Sequence, residues 1–275
     1  MEPEYVAKAQ TLLARDTKQV PDFWLNKYRQ EASKNWDKFY KRNQTRFFKD
    51  RHWVQREFEE LQRSGSGQQV KLLEVGCGVG NFAFPLLEAN PELFIYACDF
   101  SSRAVDLVKA NPLYTTDRCR AFVCDLTQDD LPGLVCQIDL DAGSATATVD
   151  IISMIFVLSA VPPEKMAAAL HNIYNALRPG GRVLFRDYGL YDAAQLRFKP
   201  GCKLEDNFYV RQDGTMAFYF STERTEALFK EAGFETVSLE YVFRKTTNVK
   251  EGLDVDRVFV QAKFEKPVNT LLAEE

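Results

Sequence analysis

The feature that most restricts the fold is a short apolar run ending in closely spaced glycines, Leu72-Leu73-Glu74-Val75-Gly76-Cys77-Gly78-Val79-Gly80-Asn81. Such a run reads as a strand that turns sharply into a helix. Glycines at the turn let backbone amides and the helix N-terminus approach a ligand without side-chain collision. The spacing is Gly-x-Gly-x-Gly, whereas the dinucleotide fingerprint is Gly-x-Gly-x-x-Gly. From there on, apolar runs alternate with helix-length segments. The pattern predicts strands over residues 71–75, 93–98, 120–124, 149–158 and 181–185, with helices near 80–88, 101–110 and 164–177. That alternation means an α/β fold with a parallel, doubly wound sheet. Arg178-Pro179-Gly180-Gly181 reads as a helix stop and turn. Past Tyr188, residues 208–211 and 216–220 flank Gln212-Asp213-Gly214, an Asp-Gly hairpin signal. A helix over 222–232 and two strands near 236–243 and 257–264 close the chain.

Residues 1–63 predict a mostly helical arm. Ser64-Gly65-Ser66-Gly67 predicts a short linker into a domain of residues 64–275. Trp36, Phe39 and Tyr40, spaced i, i+3, i+4, share one helix face. Between Lys27 and Arg56 ten Lys and Arg face three acids, a balance of +7, so at −4 overall the rest of the chain carries −11. A local basic patch, not net charge, steers phosphate binding. With 45% hydrophobic and 27% charged residues the composition is that of a soluble globular protein. No run approaches the roughly 20 apolar residues of a membrane span. The acidic, polar Met1-Glu2-Pro3-Glu4-Tyr5 carries no secretory signal, so the cytoplasm is the expected compartment, with the nucleus second. The six cysteines form no Cys-x-x-Cys pair, and the only histidines are His52 and His171. This predicts buried free thiols and no metal site.

Two acids add to the glycine loop. Asp99 ends the second strand, 23 residues after Gly76, where a carboxylate can accept hydrogen bonds from both ribose hydroxyls. It equally suits a helix cap. Asp125, in Cys124-Asp125-Leu126, ends the third strand, where a carboxylate can accept from an adenine amino group; its bland alternative is a solvated strand end. The fourth strand, with Ile155, supplies apolar contacts to adenine. Loop and acids in this register resemble the class I methyltransferases, whose seven-stranded, Rossmann-like sheet carries its seventh strand inserted antiparallel; the last two strands fit that ending. The resemblance implies S-adenosylmethionine as cofactor and S-adenosylhomocysteine as product, held by Gly76, Gly78, Asp99, Asp125, Leu126 and Ile155. Asn111-Pro112-Leu113-Tyr114 is similar to the box of amino-group methyltransferases. It follows the second helix, not the fourth strand, and reads as a helix terminator.

Phe47-Phe48-Lys49-Asp50-Arg51-His52-Trp53 gathers aromatics, cations and a histidine in seven residues. Aromatics stack on extruded bases, and Arg and Lys hold phosphates. A staple folding the arm onto the domain is the alternative on composition. This box, with Asn35-Trp36-Asp37-Lys38-Phe39-Tyr40, Cys98-Asp99-Phe100-Ser101, Ile155-Phe156-Val157-Leu158-Ser159-Ala160, Leu184-Phe185-Arg186-Asp187-Tyr188-Gly189 and residues 207–215, resembles the tRNA N3-methylcytidine methyltransferases from about Trp24 to Phe264. Only 22 residues separate Trp53 from Gly76, where longer members of that family carry a large insert. The resemblance implies methylation of cytidine 32 in the anticodon loop of serine tRNA, with seryl-tRNA synthetase as a partner. It also implies that Trp36 and Tyr40 reach over the cofactor, making the arm a lid. Phe47, Phe48, Lys49, Arg51 and His52 are assigned to substrate RNA.

The N3 lone pair of neutral cytosine needs no general base to take a methyl group. A carboxylate near N3 stabilises the cation that develops. Asp187, just past the fifth strand at the ligand-binding end of the sheet, is the candidate, with Arg186 against the base carbonyl or a phosphate. A structural Arg186–Asp187 ion pair is the alternative. Three other functions fit less well. A methyltransferase acting on protein or a small molecule leaves the basic arm unexplained. An inactive tRNA-binding accessory has no reason to keep Gly76, Asp99, Asp125 and Asp187. A dehydrogenase would need a hydride-site acid or base, and no Tyr-x-x-x-Lys stands near the fourth strand.

Overall fold

The computed structural model of the chain describes residues 1–63, 65, 67–141, 148–248 and 253–268. The arm comprises helices α1 (Pro3–Ala14), α2 (Asp22–Gln30), α3 (Ala32–Asn43) and the single turn α4 (Val54–Glu57). The body runs β1 (Val70–Val75), α5 (Ala83–Ala89), β2 (Leu93–Asp99), α6 (Ser102–Lys109), β3 (Cys119–Val123), α7 (Leu131–Asp141), β4 (Val149–Ile155), α8 (Met166–Ala176) and β5 (Leu177–Tyr188). A small sheet, β6 (Lys203–Glu205), β7 (Phe208–Val210) and β8 (Met216–Phe218), follows; then α9 (Thr222–Glu231), β9 (Glu235–Asn248) and β10 (Leu253–Glu265). The main sheet has seven strands in the order β3-β2-β1-β4-β5-β10-β9. β1 to β5 pair parallel, and β10 runs antiparallel to both neighbours, which is the expected inserted strand.

The central strands are mostly apolar because helices cover both faces. Leu73, Val75, Ile152, Met154, Val183 and Phe185 face one core, and Leu72, Ile95, Ala97, Ile151 and Leu184 the other. The arm shares these cores. Val20 is buried with Leu204 and Phe208, and its N–H donates to the Lys203 carbonyl at 2.8 Å. Val54, Phe58 and Leu61 pack against Leu72 and Phe82. Of the expected linker, Ser64 and Ser66 lie outside the described residues; Gly65 and Gly67 adopt φ +72° and +73°.

Four readings of the sequence are corrected. The fourth strand stops at Ile155, not 158: Phe156 turns to φ +62°, and a 3-10 turn spans Leu158–Ala160. The fifth strand is longer than 181–185 at both ends. Its start, read as a turn, is tied to the end of β10 by Gly180 N–H to Lys266 O at 2.7 Å and Lys266 N–H to Gly181 O at 3.0 Å. Its far end contains Arg186 and Asp187, whose charges masked a strand that is buried there. α7 is an addition to the helices read from sequence; Pro132 stands in its first turn, where a proline lacks only an N–H that has no intrahelical partner. The hairpin carries a third strand, β6. The turn after α6 is as expected: the Asn111 side chain accepts from Leu113 N–H at 2.9 Å.

Candidate active site

Two adjoining cavities open at the carboxyl ends of β1, β2 and β4, beneath α2 and α3. The first, about 370 Å³, is lined by Asp99, Phe100, Asp125, Leu126 and Val157, among others. The second, about 280 Å³, is lined by Arg51, Glu74, Cys77, Gly78, Ile155 and Tyr188, among others. Trp36, Tyr40, Gly76, Phe156 and Ala160 border both. The roof is the aromatic face of α3: Trp36 and Tyr40 lie 5.8 Å apart, and Phe39 packs edge-on against each. Side-chain latches hold it down. Ser33 Oγ donates to Phe100 O at 3.2 Å, Asn35 Nδ2 to Gly214 O at 3.2 Å, and Ser101 Oγ to Asp37.

The glycines are required. Gly76 and Gly78 sit at φ +60° and +54°, where a side chain is strained. A Cβ on Gly76 would stand 2.6 Å from Val157 Cγ2, and one on Gly78 3.0 Å from Tyr40 Oη. Asp99 is buried and joins the loop to the next helix: Oδ2 accepts from Gly78 N–H at 3.0 Å and Oδ1 from Ser101 N–H at 2.9 Å. Burial pushes its carboxyl up to about 6, against the pull of those two hydrogen bonds. Ser101 caps α6 in turn, accepting from Ala104 N–H. Asp99 therefore borders the cavity and orders its wall. Asp125 also borders the first cavity; its carboxylate takes Thr127 N–H at 2.9 Å, Thr127 Oγ1 at 2.8 Å and Gln128 Nε2 at 2.7 Å.

Glu74 ends in the second cavity with one oxygen, Oε2, buried and without a hydrogen-bond partner. Burial pushes this carboxyl up to about 8, with Arg51 pulling the other way and Asp99 adding to the rise. An orphan carboxylate oxygen beside a glycine loop suits a cationic ammonium. The other cavity offers carboxylates for ribose and adenine donors. The residues present thus fit S-adenosylmethionine, with its nucleoside in the larger cavity and its amino-acid end in the smaller.

The other sequence-assigned residues are distributed unevenly. Leu126 lines the first cavity; Ile155 lines the second, and Phe156 and Val157 stand in the first where the strand was expected to meet adenine. Arg51 is corrected most. Its side chain does not face outward to an RNA backbone: Nη1 donates to Ile155 O at 2.9 Å and the guanidinium lies over the Phe156 ring at 5.3 Å, while the backbone N–H donates to Asn81 O at 2.8 Å. Phe48 and Lys49 border the second cavity, with Lys49 exposed. Phe47 is exposed and meets Phe39 edge-on at 4.9 Å, and His52 is exposed. The box therefore staples the arm and also leaves aromatic and cationic groups at the rim.

Arg186 and Asp187 do not line either cavity, and they do not pair with each other. Successive strand residues point to opposite faces. Arg186 is buried between the Trp53 ring (4.4 Å) and the Phe259 ring (5.0 Å), donates to Gln261 Oε1 at 3.1 Å, and has Glu57 at 3.8 Å. Burial pulls its guanidinium down to about 10. Asp187 is wholly buried, and its oxygens accept from Ser159 N–H and Tyr188 N–H, each at 2.9 Å. Burial raises its carboxyl to about 6 against those bonds. Asp187 thus fixes Ser159 and Tyr188, which do border the second cavity.

Sequence reasoning missed Glu74, Tyr188, Arg211 and Arg257. Glu74 left a signal, an acid inside an apolar strand. The two arginines left none, since the hairpin insertion and the last strand carry them to the site. Among the described residues, no three or more His, Cys, Asp and Glu are grouped to hold a metal ion, and no helix is long and apolar enough to cross a membrane.

A family model described as a methyltransferase domain matches residues 73–183. A SAM-dependent methyltransferase from Anabaena variabilis superposes with TM-score 0.60 at 16% identity, over 85% of this chain and 94% of that one. The N-methyltransferase NodS from Bradyrhizobium japonicum, solved with S-adenosyl-l-homocysteine, gives 0.50 at 19%, over 82% and 93%. Sheet order, glycine loop and paired acids define an S-adenosylmethionine-dependent methyltransferase of the Rossmann-like class. Two curated relatives narrow the class. The tRNA N(3)-cytidine methyltransferase METTL6 of Homo sapiens is 57% identical over 93% of this chain and 87% of its own length. The tRNA N(3)-methylcytidine methyltransferase trm141 of Schizosaccharomyces pombe is 43% identical over 90% and 97%. The chain belongs to the tRNA N(3)-cytidine methyltransferase family.

Proposed function

We propose that this chain methylates N3 of cytidine 32 in the anticodon loop of serine tRNA, with seryl-tRNA synthetase presenting the tRNA. The observation that carries an RNA substrate is the roof: the cofactor cavities are closed by the chain's one strongly basic segment. Lys38, Lys41, Arg46 and Lys49 stand exposed on that segment, beside the exposed Phe47. N3 of cytidine is supported by the names of the relatives. Position 32, serine tRNA and the synthetase are supported by the family resemblance of the arm and Arg186–Gly189 boxes.

Bound S-adenosylmethionine supplies a methyl group on a positively charged sulfur. The chain's own task is placement. Gly76, Gly78 and Asp99 shape the loop around the cofactor, and Asp125 and Leu126 close on its base. Trp36 and Tyr40 exclude water from above. Phe156 and Tyr188, 5.1 Å apart and tilted by 34°, give the acceptor base an aromatic wall. Asp187 holds that wall by fixing Ser159 and Tyr188. Because N3 carries a lone pair in the ring plane, no residue need take a proton before transfer, and alignment supplies much of the rate.

Purified protein, labelled S-adenosylmethionine and individual tRNAs, with and without seryl-tRNA synthetase, test the reading. N3-methylcytidine mapped to position 32 of serine tRNA is expected. Label in protein or a small molecule with none in any tRNA overturns it.

A further inference from the structure

The second cavity does not end at the methyl-transfer region. Tyr188, Arg211 and Arg257 form a wall that it shares with a third, wider cleft of about 660 Å³ between the body and the small sheet. That cleft also presents Arg42, Arg197 and Lys199, with Asp213 as its one acid. At the junction two guanidiniums approach the Tyr188 ring, Arg211 at 5.5 Å and Arg257 at 5.8 Å. Both are anchored. Arg211 Nη1 donates to Met216 O at 3.0 Å and Thr215 Oγ1 at 3.3 Å. Arg257 donates through Nε only, to Asp192 Oδ1 at 2.7 Å and Oδ2 at 2.9 Å. Asp192 is wholly buried and also accepts from Val258 N–H at 3.2 Å. The terminal nitrogens of Arg257 take no acceptor among the described residues. A guanidinium held by one edge, resting on Tyr188 and Phe259, keeps its other edge as a preset oxygen-binding fork.

We propose that the Tyr188–Arg211–Arg257 junction is the acceptor-nucleotide site, that Arg257 binds an oxygen of the extruded nucleotide there, and that Asp192 is the positioning residue that aims it. The proposal rests on the RNA reading above. The oxygen belongs to the nucleotide's phosphate or to the carbonyl of its pyrimidine. Both accept two N–H groups, and both lie on a path from a cation-lined cleft to the methyl-transfer cavity.

The test uses the full chain with the tRNA that wild type methylates best, and the variants Arg257→Lys, Arg257→Gln, Asp192→Asn and Asp192→Asn/Arg257→Gln. S-adenosylhomocysteine affinity, read by calorimetry, is expected to stay within about twofold of wild type. Methyl transfer, as kcat/KM, is expected to fall at least tenfold in each. Arg257→Lys keeps the charge on Asp192 and so keeps the fold, but loses the fork. In the double variant no buried charge is left alone, and Asp192→Asn is expected to add nothing once Arg257 is gone, the non-additivity of a residue acting through another. A phosphate contact also lowers the slope of log Kd against log salt by about 0.7–0.9 in Arg257→Gln; a carbonyl contact leaves that slope and lowers kcat. Wild-type kcat/KM in Arg257→Lys and in the double variant overturns the proposal. Failure of the wild-type chain to methylate any tRNA overturns the RNA reading instead.

Discussion

Glu74 makes cofactor binding depend on pH in a way that calorimetry can read. Its carboxyl is pushed up to about 8 by burial, so near neutral pH it is mostly protonated. A cationic amino group beside Oε2 favours the ionised form. Binding near neutrality then expels a proton, and the apparent affinity scales with the ionised fraction. With a midpoint of about 8, that fraction rises from about 3% at pH 6.5 to about 50% at pH 8, so S-adenosylhomocysteine is expected to bind about 15-fold more tightly at the higher pH. Asp99, raised to about 6, is already mostly ionised at pH 6.5 and contributes little to that change. Titrations at pH 7 in phosphate and in Tris count the released proton through the difference in buffer ionisation heat, and about 0.9 per ligand is expected. Glu74→Gln removes the pH dependence and the proton. The same shift acts on stability with a definite sign. Because the folded carboxyl titrates above the unfolded one, the native state holds the extra proton between about pH 4.5 and 8. The ligand-free protein loses stability as pH rises through that window, by on the order of 5 kcal/mol when ionisation is complete. Glu74→Gln abolishes that loss, so it melts above wild type at pH 8.5. A wild-type affinity flat from pH 6.5 to 8, with no buffer-dependent heat, refutes the reasoning.

Gly78→Ala places a Cβ 3.0 Å from Tyr40 Oη at φ +54°, a strain of about 1–2 kcal/mol; about tenfold weaker S-adenosylhomocysteine binding is expected by calorimetry. Asp187→Ala orphans the N–H groups of Ser159 and Tyr188, at about 1–3 kcal/mol each; a lower denaturation midpoint with loss of methyl transfer is expected, and an unchanged midpoint counts against the clamp. Lys49→Glu, on the exposed rim, is expected to weaken tRNA binding more at low salt than at high salt. Arg51→Gln is expected to weaken cofactor binding instead, because its guanidinium bonds Ile155 O inside the pocket; a purely salt-dependent tRNA defect there returns Arg51 to the surface role.

The parts of this molecule that repeat a local rule were legible before the fold was known. Glycine spacing, strand–helix alternation and an acid at or just past each strand end singled out the glycine loop, Asp99 and Asp125, which the fold brings to the wall of one cavity, because each depends on a few consecutive residues. The misplaced residues share a different cause. Arg51 sits in a run of cations, and composition alone marks such a run as solvent-facing; only the proximity of β1 and β4 turns it inward beside Glu74. Arg186 and Asp187 are adjacent in sequence and read together as a site. Strand geometry separates them, one toward Trp53 and the other toward Ser159.

The same geometry relocates the chemistry. Asp187 accepts two backbone N–H groups and lines neither of the two cavities, so its effect on the reaction passes through the residues it holds. Among the described residues, the groups at the cavity walls with unused hydrogen-bonding capacity include Glu74 Oε2 and the terminal nitrogens of Arg257. Both line the methyl-transfer cavity together with Phe156 and Tyr188. The acid suits the cation of the cofactor's amino-acid group, and Arg257, on the wall shared with the cation-lined cleft, suits an oxygen of a nucleotide. The charges of the cavity wall therefore distinguish its two ligands, a distinction that neither the glycine loop nor the basic arm contains.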